Sequence, residues 1–351
     1  MDMLRVGVIG FGYATKTFHV PLILATEGLA LGAISTSRPD DVAAVLQNVP
    51  CVDSPEALLA LPDIDIIVIP TPNDTHFPLA KQAMESGHHV VVDKPFALSV
   101  AEASALTALA KEKGVVLSVF HNRRWDSDFM TLRNAIDEGL LGTVTEAELR
   151  YDRYRPEVRQ RWREQNVPGG GLWYDLGPHL LDQAVQLFGM PDAIQADIAS
   201  LRPGGLSDDH AQATLFYPQR RVTLHASMLV ATETPHYTVN GTQGGYVKYG
   251  LDVQEDQLKA GVQPGDDQWG VDPRPALLLT RNGQGGLDER AYASVPGDYR
   301  CYYRQFRDAV LGKGDNPVTP EQALRVIYLI EQGIASSQSG ARIAIKDIPL
   351  S

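Results

Sequence analysis

The chain has 351 residues, 44% hydrophobic and 21% charged, the mix of a globular protein of two domains or one large one. Its 43 Asp and Glu outweigh 31 Lys and Arg, and the net charge of −12 argues against a nucleic-acid backbone as partner, which needs clustered cations to displace counterions. The main basic stretch, RYRPEVRQRWRE, is short and interleaved with acids and aromatics, so it does not reverse that balance.

Only Cys51 and Cys301 occur, far apart, which excludes a disulfide framework or a cysteine-rich metal site and fits a reducing compartment. MDMLRVGVIG lacks a basic leader followed by a long apolar run, and no apolar stretch approaches the ~20 residues of a membrane span. The cytoplasm is the expected location, with no membrane contact.

In chain order, RVGVIG reads as a strand running into a glycine turn, Gly10, Phe11, Gly12, Tyr13, Ala14 and Thr15. Gly10 suits the tight turn and Gly12 a close backbone approach to phosphates, with Ala14 and Thr15 entering a helix whose N–H groups face a pyrophosphate. Thr15 stands where a third small residue is usual, so the dinucleotide fingerprint is imperfect. A second strand, LALGAIS, ends in Ser35, Thr36, Ser37 and Arg38, with no carboxylate until Asp40. An NAD site usually places an acid there. Hydroxyls and a guanidinium suit a 2′-phosphate instead, so NADP is expected and NAD is the alternative.

IDIIVIPTP, HHVVVDKP and VVLSVF read as further strands, alternating with helices in FPLAKQAMESG and VAEASALTALAKEKG that stop at Gly87 and Gly114. Near-continuous Val/Ile strands between helices predict a doubly wound parallel sheet of the Rossmann kind over residues 1–121. At strand ends, where open parallel sheets bind ligands, Pro70, Thr71, Asn73 and His76 are expected against the cofactor, although T-P-N-D is also an ordinary turn. Asp93, Lys94 and Pro95 end the next strand and are also expected against the cofactor, and Lys94 is placed to meet a substrate oxygen as well. Asn122 and Arg124 follow as cleft residues, Asn122 toward cofactor and substrate, Arg124 toward substrate.

Over 122–351 the texture changes to a helix, SDFMTLRNAIDEG, and alternating runs TVTEAELRYDRY, AIQADIASL, AQATLFYP, RVTLHASML, HYTVNGT and GGYVKYG, which predict an α/β domain on a mostly antiparallel sheet. Residues 252–298, rich in Gly, Asp, Gln and Pro, read as long loops; two closing helices are able to pack back on the first domain. GGGLWYDLGPHLLDQ sets Asp175 and His179 four apart, with Gly177 and Pro178 marking the expected helix start. Histidine can take a proton from an alcohol and a carboxylate can orient it or hold hydroxyls. Equally, Asp175 could cap the helix and His179 lie in its core. No third metal ligand is evident, so no metal is expected.

Together GVIGFGYATKTFH, IPTPNDTH, VVVDKPF, FHNRRWD and DLGPHLLDQ, in this order, closely resemble the Gfo/Idh/MocA oxidoreductases over essentially the whole chain, and among them the bacterial branch with NADP-dependent scyllo-inositol dehydrogenases. The resemblance implies a Rossmann domain followed by an α/β domain whose open sheet face builds homodimers or homotetramers. It implies that Lys94 orients the substrate, Asp175 binds its hydroxyls and His179 is the general acid/base. Asp93 and Thr15 depart from the family pattern, replacing a glutamate and a small residue. The expectation is an NADP-dependent dehydrogenase acting on a sugar or cyclic polyol, with an NAD-dependent glycosidase or a non-catalytic NADP-binding sensor as rivals.

Overall fold

The computed structural model describes residues 3–346; residues 1–2 and 347–351 of the two expected segments lie outside that description. Six strands form a parallel sheet: β1 (Leu4–Ile9), β2 (Leu29–Ser35), β3 (Cys51–Val52), β4 (Ile66–Ile69), β5 (His89–Val92) and β6 (Leu117–Val119), in the order β3-β2-β1-β4-β5-β6. Ile66–Ile69 and Val90–Val92 are wholly buried, because helices cover both faces of the sheet. The chain winds outward in both directions from β1 and β4, so a crevice opens at the C-terminal strand ends beside them.

Helix Val100–Lys113 starts where the Ser99 side chain accepts from the Glu102 N–H and stops at Gly114 in left-handed backbone, as the glycine predicted. Strand β3 and helices Pro39–Ala43 and Pro55–Leu59 were not expected, since elements this short carry too few residues to show a period.

The second sheet contains β7 (Val144–Asp152), β8 (Ala193–Ala199), β9 (His210–Phe216), β10 (Arg221–Ser227), β11 (Pro235–Gly241), β12 (Gly244–Tyr249), β13 (Ala276–Arg281), β14 (Leu287–Tyr292) and β15 (Ile343–Ala344). It is ordered β14-β13-β12-β11-β7-β10-β9-β8-β15 and antiparallel except for the β7–β10 pair. Here one expectation fails: residues 252–298 are not simply loops, but hold helix Gln254–Lys259 and the β13–β14 hairpin. Strand β14 is an edge strand paired only with β13 and exposed on both faces, so no core imposes an apolar alternation on it and it shows none.

Ala147, Leu149 and Tyr151 of β7 face the core shared with helices Leu172–Phe188 and Pro320–Ser339. The alternate residues face away, and Arg150 bridges Glu148 at 2.5 Å and Asp152 at 2.7 Å, with His225 on the same aspartate. Helix Arg300–Val310 sends Tyr302, Tyr303 and Phe306 into the core of the first sheet. Helix Pro320–Ser339, begun by a capping box at Thr319, divides its apolar residues between the two cores: Ala323, Leu324 and Ile327 to the first, Val326, Leu329 and Ile330 to the second. Among the described residues no helix is long and apolar enough to cross a membrane.

Candidate active site

The turn after β1 has the form a dinucleotide phosphate needs. Gly10 sits at φ +90°, its N–H donates to the Ser35 carbonyl at 2.7 Å, and a Cβ on Gly12 would meet nothing within 4 Å. The backbone is therefore open to a phosphate at Gly12. Thr15 is fully buried and its hydroxyl donates to the Gly10 carbonyl at 2.9 Å, which is how the turn accommodates a residue larger than glycine. That hydroxyl therefore braces the turn. Arg38 is exposed beside Asp41 at 3.3 Å, and Lys16, which lies over the Phe11 ring, approaches the same carboxylate at 3.8 Å. Ser35 is buried at the end of β2, while Ser37 is exposed.

Next to the turn lies a cavity of about 510 Å³ lined by Tyr13, Ala14, Asp93, Lys94, Asn122, Asp175 and His179, all singled out in the sequence. Lys94 leaves the end of β5 and donates from Nζ to the Asp175 carbonyl at 2.6 Å and to its Oδ1 at 3.0 Å. Both partners come from helix Leu172–Phe188. This helix starts five residues before the Gly177–Pro178 pair expected to mark its beginning. Gly171, at φ +92°, precedes it where a Cβ would fall 1.8 Å from Asp208 Oδ1, and that carboxylate accepts from the Trp173 N–H at 2.6 Å. Gly177 serves close packing instead, since its Cβ position is 2.9 Å from Trp173 and 3.0 Å from Ile330. Asp175 and His179 consequently lie one helical turn apart within a continuous helix.

The electrostatics separate the roles these groups can take. Burial opposes ionisation of Asp175, but Lys94, Arg163 and Arg153 overcome it and hold the carboxyl well below the usual range. Burial likewise opposes ionisation of Asp93, yet contact with His19 and the charges around it bring it down to about 2. His179 is pushed well below the ordinary histidine value by burial first, then by Lys94 and Arg123. It is a neutral imidazole at neutral pH, and its Nδ1 is buried without a hydrogen-bond partner. A neutral base, an ammonium and a carboxylate therefore line one chamber, a set able to abstract a proton from an alcohol and hold its oxygen.

Other expected site residues do not line this cavity, although Thr71 lies against the glycine turn. Arg124 is buried, grips Asp182 through Nε at 2.9 Å and Nη2 at 2.7 Å, and also bonds the Pro317 carbonyl and Gln322. It ties helices together and does not line the cleft. Asn73 is buried and donates to the Gly169 carbonyl at 2.9 Å. His76 is fully buried, its two nitrogens against the Thr71 and Pro95 carbonyls, so it braces two strand-end loops. Thr71 accepts from the Thr75 hydroxyl and lies 3.4 Å from where a Gly10 Cβ would be, and Pro70 precedes it at the same strand end. The residue before Asp175 in sequence, Tyr174, faces a different hollow, where its hydroxyl donates to the Leu98 carbonyl.

Several lining residues escaped the sequence reading. Arg123, not Arg124, enters the cavity, because consecutive residues of the 3₁₀ turn Asn122–Trp125 point about a third of a circle apart. It pairs with Asp126 and Glu255 and lies over the Tyr151 ring. Glu255 and Lys259 arrive on the helix inside the stretch read as loop, and Glu255 also accepts from the Tyr13 hydroxyl. Arg153, Arg155, Arg159, Arg161 and Arg163 line the cavity too; their signal in the sequence is the basic stretch RYRPEVRQRWRE, whose composition does not say which way it faces. Among the described residues no group of three or more His, Cys, Asp or Glu is placed to hold a metal.

Two models of known families match the chain, the NAD-binding Rossmann fold of an oxidoreductase family over residues 4–121 and its C-terminal alpha/beta domain over 133–345. The Escherichia coli oxidoreductase YdgJ, described as uncharacterized, is 54% identical over 98% of this chain and 99% of its own. The Bacillus subtilis scyllo-inositol 2-dehydrogenase (NADP(+)) IolW is 35% identical over 99% and 97%. D-glucoside 3-dehydrogenase of Escherichia coli is 25% identical over 97% of each chain. The solved structure of YPO2259 from Yersinia pestis superimposes with a TM-score of 0.95 at 51% identity, covering 99% of this chain and 98% of that one.

Proposed function

This chain belongs to the Gfo/Idh/MocA oxidoreductase family, and from that premise we propose that it is an NADP-dependent dehydrogenase acting on a secondary alcohol of a sugar or cyclic polyol. The observation that carries the reading is the Lys94–Asp175 contact of 3.0 Å in one cavity with a buried, neutral His179, beside the glycine turn. The open backbone at Gly12 fits a dinucleotide phosphate, and Ala14, Asp93 and Asn122 line the chamber toward the turn. When bound, the cofactor supplies the oxidant for the alcohol carbon.

His179 takes the hydroxyl proton. Lys94 has three donors, two of them on Asp175, and the third is available to the substrate oxygen, where it stabilises developing negative charge. Asp175, ionised and half-buried, accepts from a neighbouring hydroxyl and holds the lysine in place. Lys16 and Arg38 are the partners for a 2′-phosphate. Their pairs with Asp41 are exposed and weak, so a doubly charged phosphate competes well for them.

The test compares kcat/KM for scyllo-inositol, glucose and cyclohexanol with NADP, following absorbance of the reduced cofactor. A site built to pair hydroxyls disfavours an alcohol that leaves its buried polar groups unpaired. Cyclohexanol as the best of the three would discard the polyol reading. Arg38→Ala should weaken NADP much more than NAD, and equal losses would remove Arg38 from the 2′-phosphate.

A further inference from the structure

The arginines of 153–163 have no part in the chemistry above, yet they crowd the chamber where it would occur. Eight cationic side chains line the cavity against three carboxylates, in a protein of net charge −12. Each carboxylate is already engaged. Asp175 holds Lys94 and Arg163, Glu255 holds Arg123 and Lys259, and Asp93 accepts from the Lys94 N–H with His19 at 3.7 Å. Arg161 is paired with Glu164 at 2.8 Å. Among the described residues no carboxylate comes within ion-pair distance of Arg153, Arg155 or Arg159.

The segment is held in place without using those three side chains. The N–H groups of Arg153 and Arg155 donate to the Ser227 and Met228 carbonyls at 2.8 and 2.7 Å. Buried Arg202, paired with Asp209 and Glu164, donates to the carbonyls of Arg155 and Glu157. Glu164 in turn accepts from the Arg159 N–H at 2.9 Å. The Gly171 N–H donates to the Arg163 carbonyl at 2.8 Å, so the segment ends directly on the helix bearing Asp175 and His179. Bringing like charges together destabilises a fold unless something offsets it: Arg155 has its pKa lowered by burial and then by Arg153, Arg159 and Arg161. Three unpaired guanidiniums on a braced segment, facing the reacting groups, form a fork for an oxyanion.

We propose that the substrate carries an anionic group, a phosphate or a carboxylate, remote from its reacting hydroxyl, and that Arg153, Arg155 and Arg159 bind it. The inference rests on the dehydrogenase reading and narrows its substrate to an acidic or phosphorylated sugar or polyol. The anion fixes which hydroxyl reaches His179, since one end of the molecule is anchored on the arginines and the other on Lys94 and Asp175.

Two measurements test it. In the first, kcat/KM with NADP is compared for glucose, glucuronate and glucose 6-phosphate, in the wild type and in R153Q/R155Q. The anionic sugars should exceed glucose by roughly 10- to 100-fold, the scale of a charged hydrogen bond, and the variant should lose that ratio while KM for NADP stays unchanged. Whichever anion is preferred distinguishes phosphate from carboxylate. In the second, calorimetry with inorganic phosphate and with gluconate, without cofactor, should show binding that weakens in the variant; this arm stands even if no sugar is turned over, the result that would defeat the dehydrogenase reading alone. Should R153Q/R155Q not fold, R159Q, at an exposed position, replaces it in both arms. Equal kcat/KM for glucose and its anionic counterparts, anion binding unchanged by the substitutions, or a variant whose sole defect is a raised KM for NADP would each overturn the proposal.

Discussion

Arg124 offers the sharpest separation between a structural and a substrate-binding role. Its guanidinium makes four hydrogen bonds, two of them to a carboxylate with 3% side-chain exposure. Arg124→Met keeps most of the volume and removes the charge, stranding Asp182 among buried groups. Breaking a buried pair from one side costs about 3–5 kcal/mol. With an unfolding entropy of ~2.1 cal/mol/K per residue over 351 residues, that corresponds to a fall in melting temperature of roughly 4–7 °C if the chain unfolds in one transition. Adding Asp182→Asn removes the stranded charge and should recover a large part of the loss, as a double-mutant cycle by thermal and urea unfolding would read. The pH dependence has a definite sign. Burial works against Asp182, but Arg124 and then His121 hold its folded pKa below the ordinary value of ~3.9. The pair's contribution is thus complete above ~3.9 and fades as pH falls through the folded value, so wild type and variant should converge in acid. An R124M protein with an unchanged melting temperature and a raised KM for polyol would refute this reasoning and return the guanidinium to the substrate.

Lys94→Ala and His179→Ala should each keep NADP binding while losing turnover by ~100-fold or more, and near-normal kcat in the histidine variant would move the proton transfer elsewhere. Because burial, Lys94 and Arg123 keep the His179 imidazole neutral, the acid limb of kcat/KM for alcohol oxidation should lie below the ~6.5 of a free histidine; an inflection at that value would show another base. Gly171→Ala should lower both thermal stability and kcat, since the new methyl collides with Asp208 at the start of the helix that bears Asp175 and His179, whereas Gly87→Ala, at φ +85° with nothing within 4 Å, should cost only the ~1–2 kcal/mol of left-handed backbone. Equal effects at the two glycines would remove the Asp208 contact from the account.

What could be read without coordinates was whatever is written locally. The buried runs Ile66–Ile69 and Val90–Val92, the αL stop at Gly114 and the open turn at Gly10 and Gly12 each follow from a few neighbouring residues, and strand ends in a parallel sheet gather on one edge whatever the loops do. Strand-end position brought Lys94 forward as a candidate and four-residue helical spacing brought Asp175 and His179, whose roles came from the family resemblance; all three line one cavity. Local sequence could not tell Arg123 from Arg124, because the difference is one step around a 3₁₀ turn, set by which side Asp182 and Glu255 approach from. Nor could it see β14, an exposed edge strand paired only with the preceding strand of its hairpin, which carries no apolar period because neither of its faces is buried. Asn73 and His76 read as cofactor contacts at a strand end, yet the fold sets their polar atoms against carbonyls both near in sequence, Thr71, and far from it, Pro95 and Gly169. The arginine segment was plain as composition, but its charge acquired a direction only when hydrogen bonds to β10, to Arg202 and to the start of helix Leu172–Phe188 set it against the cavity; charge is a property of the chain, while the field it makes depends on where the fold holds it.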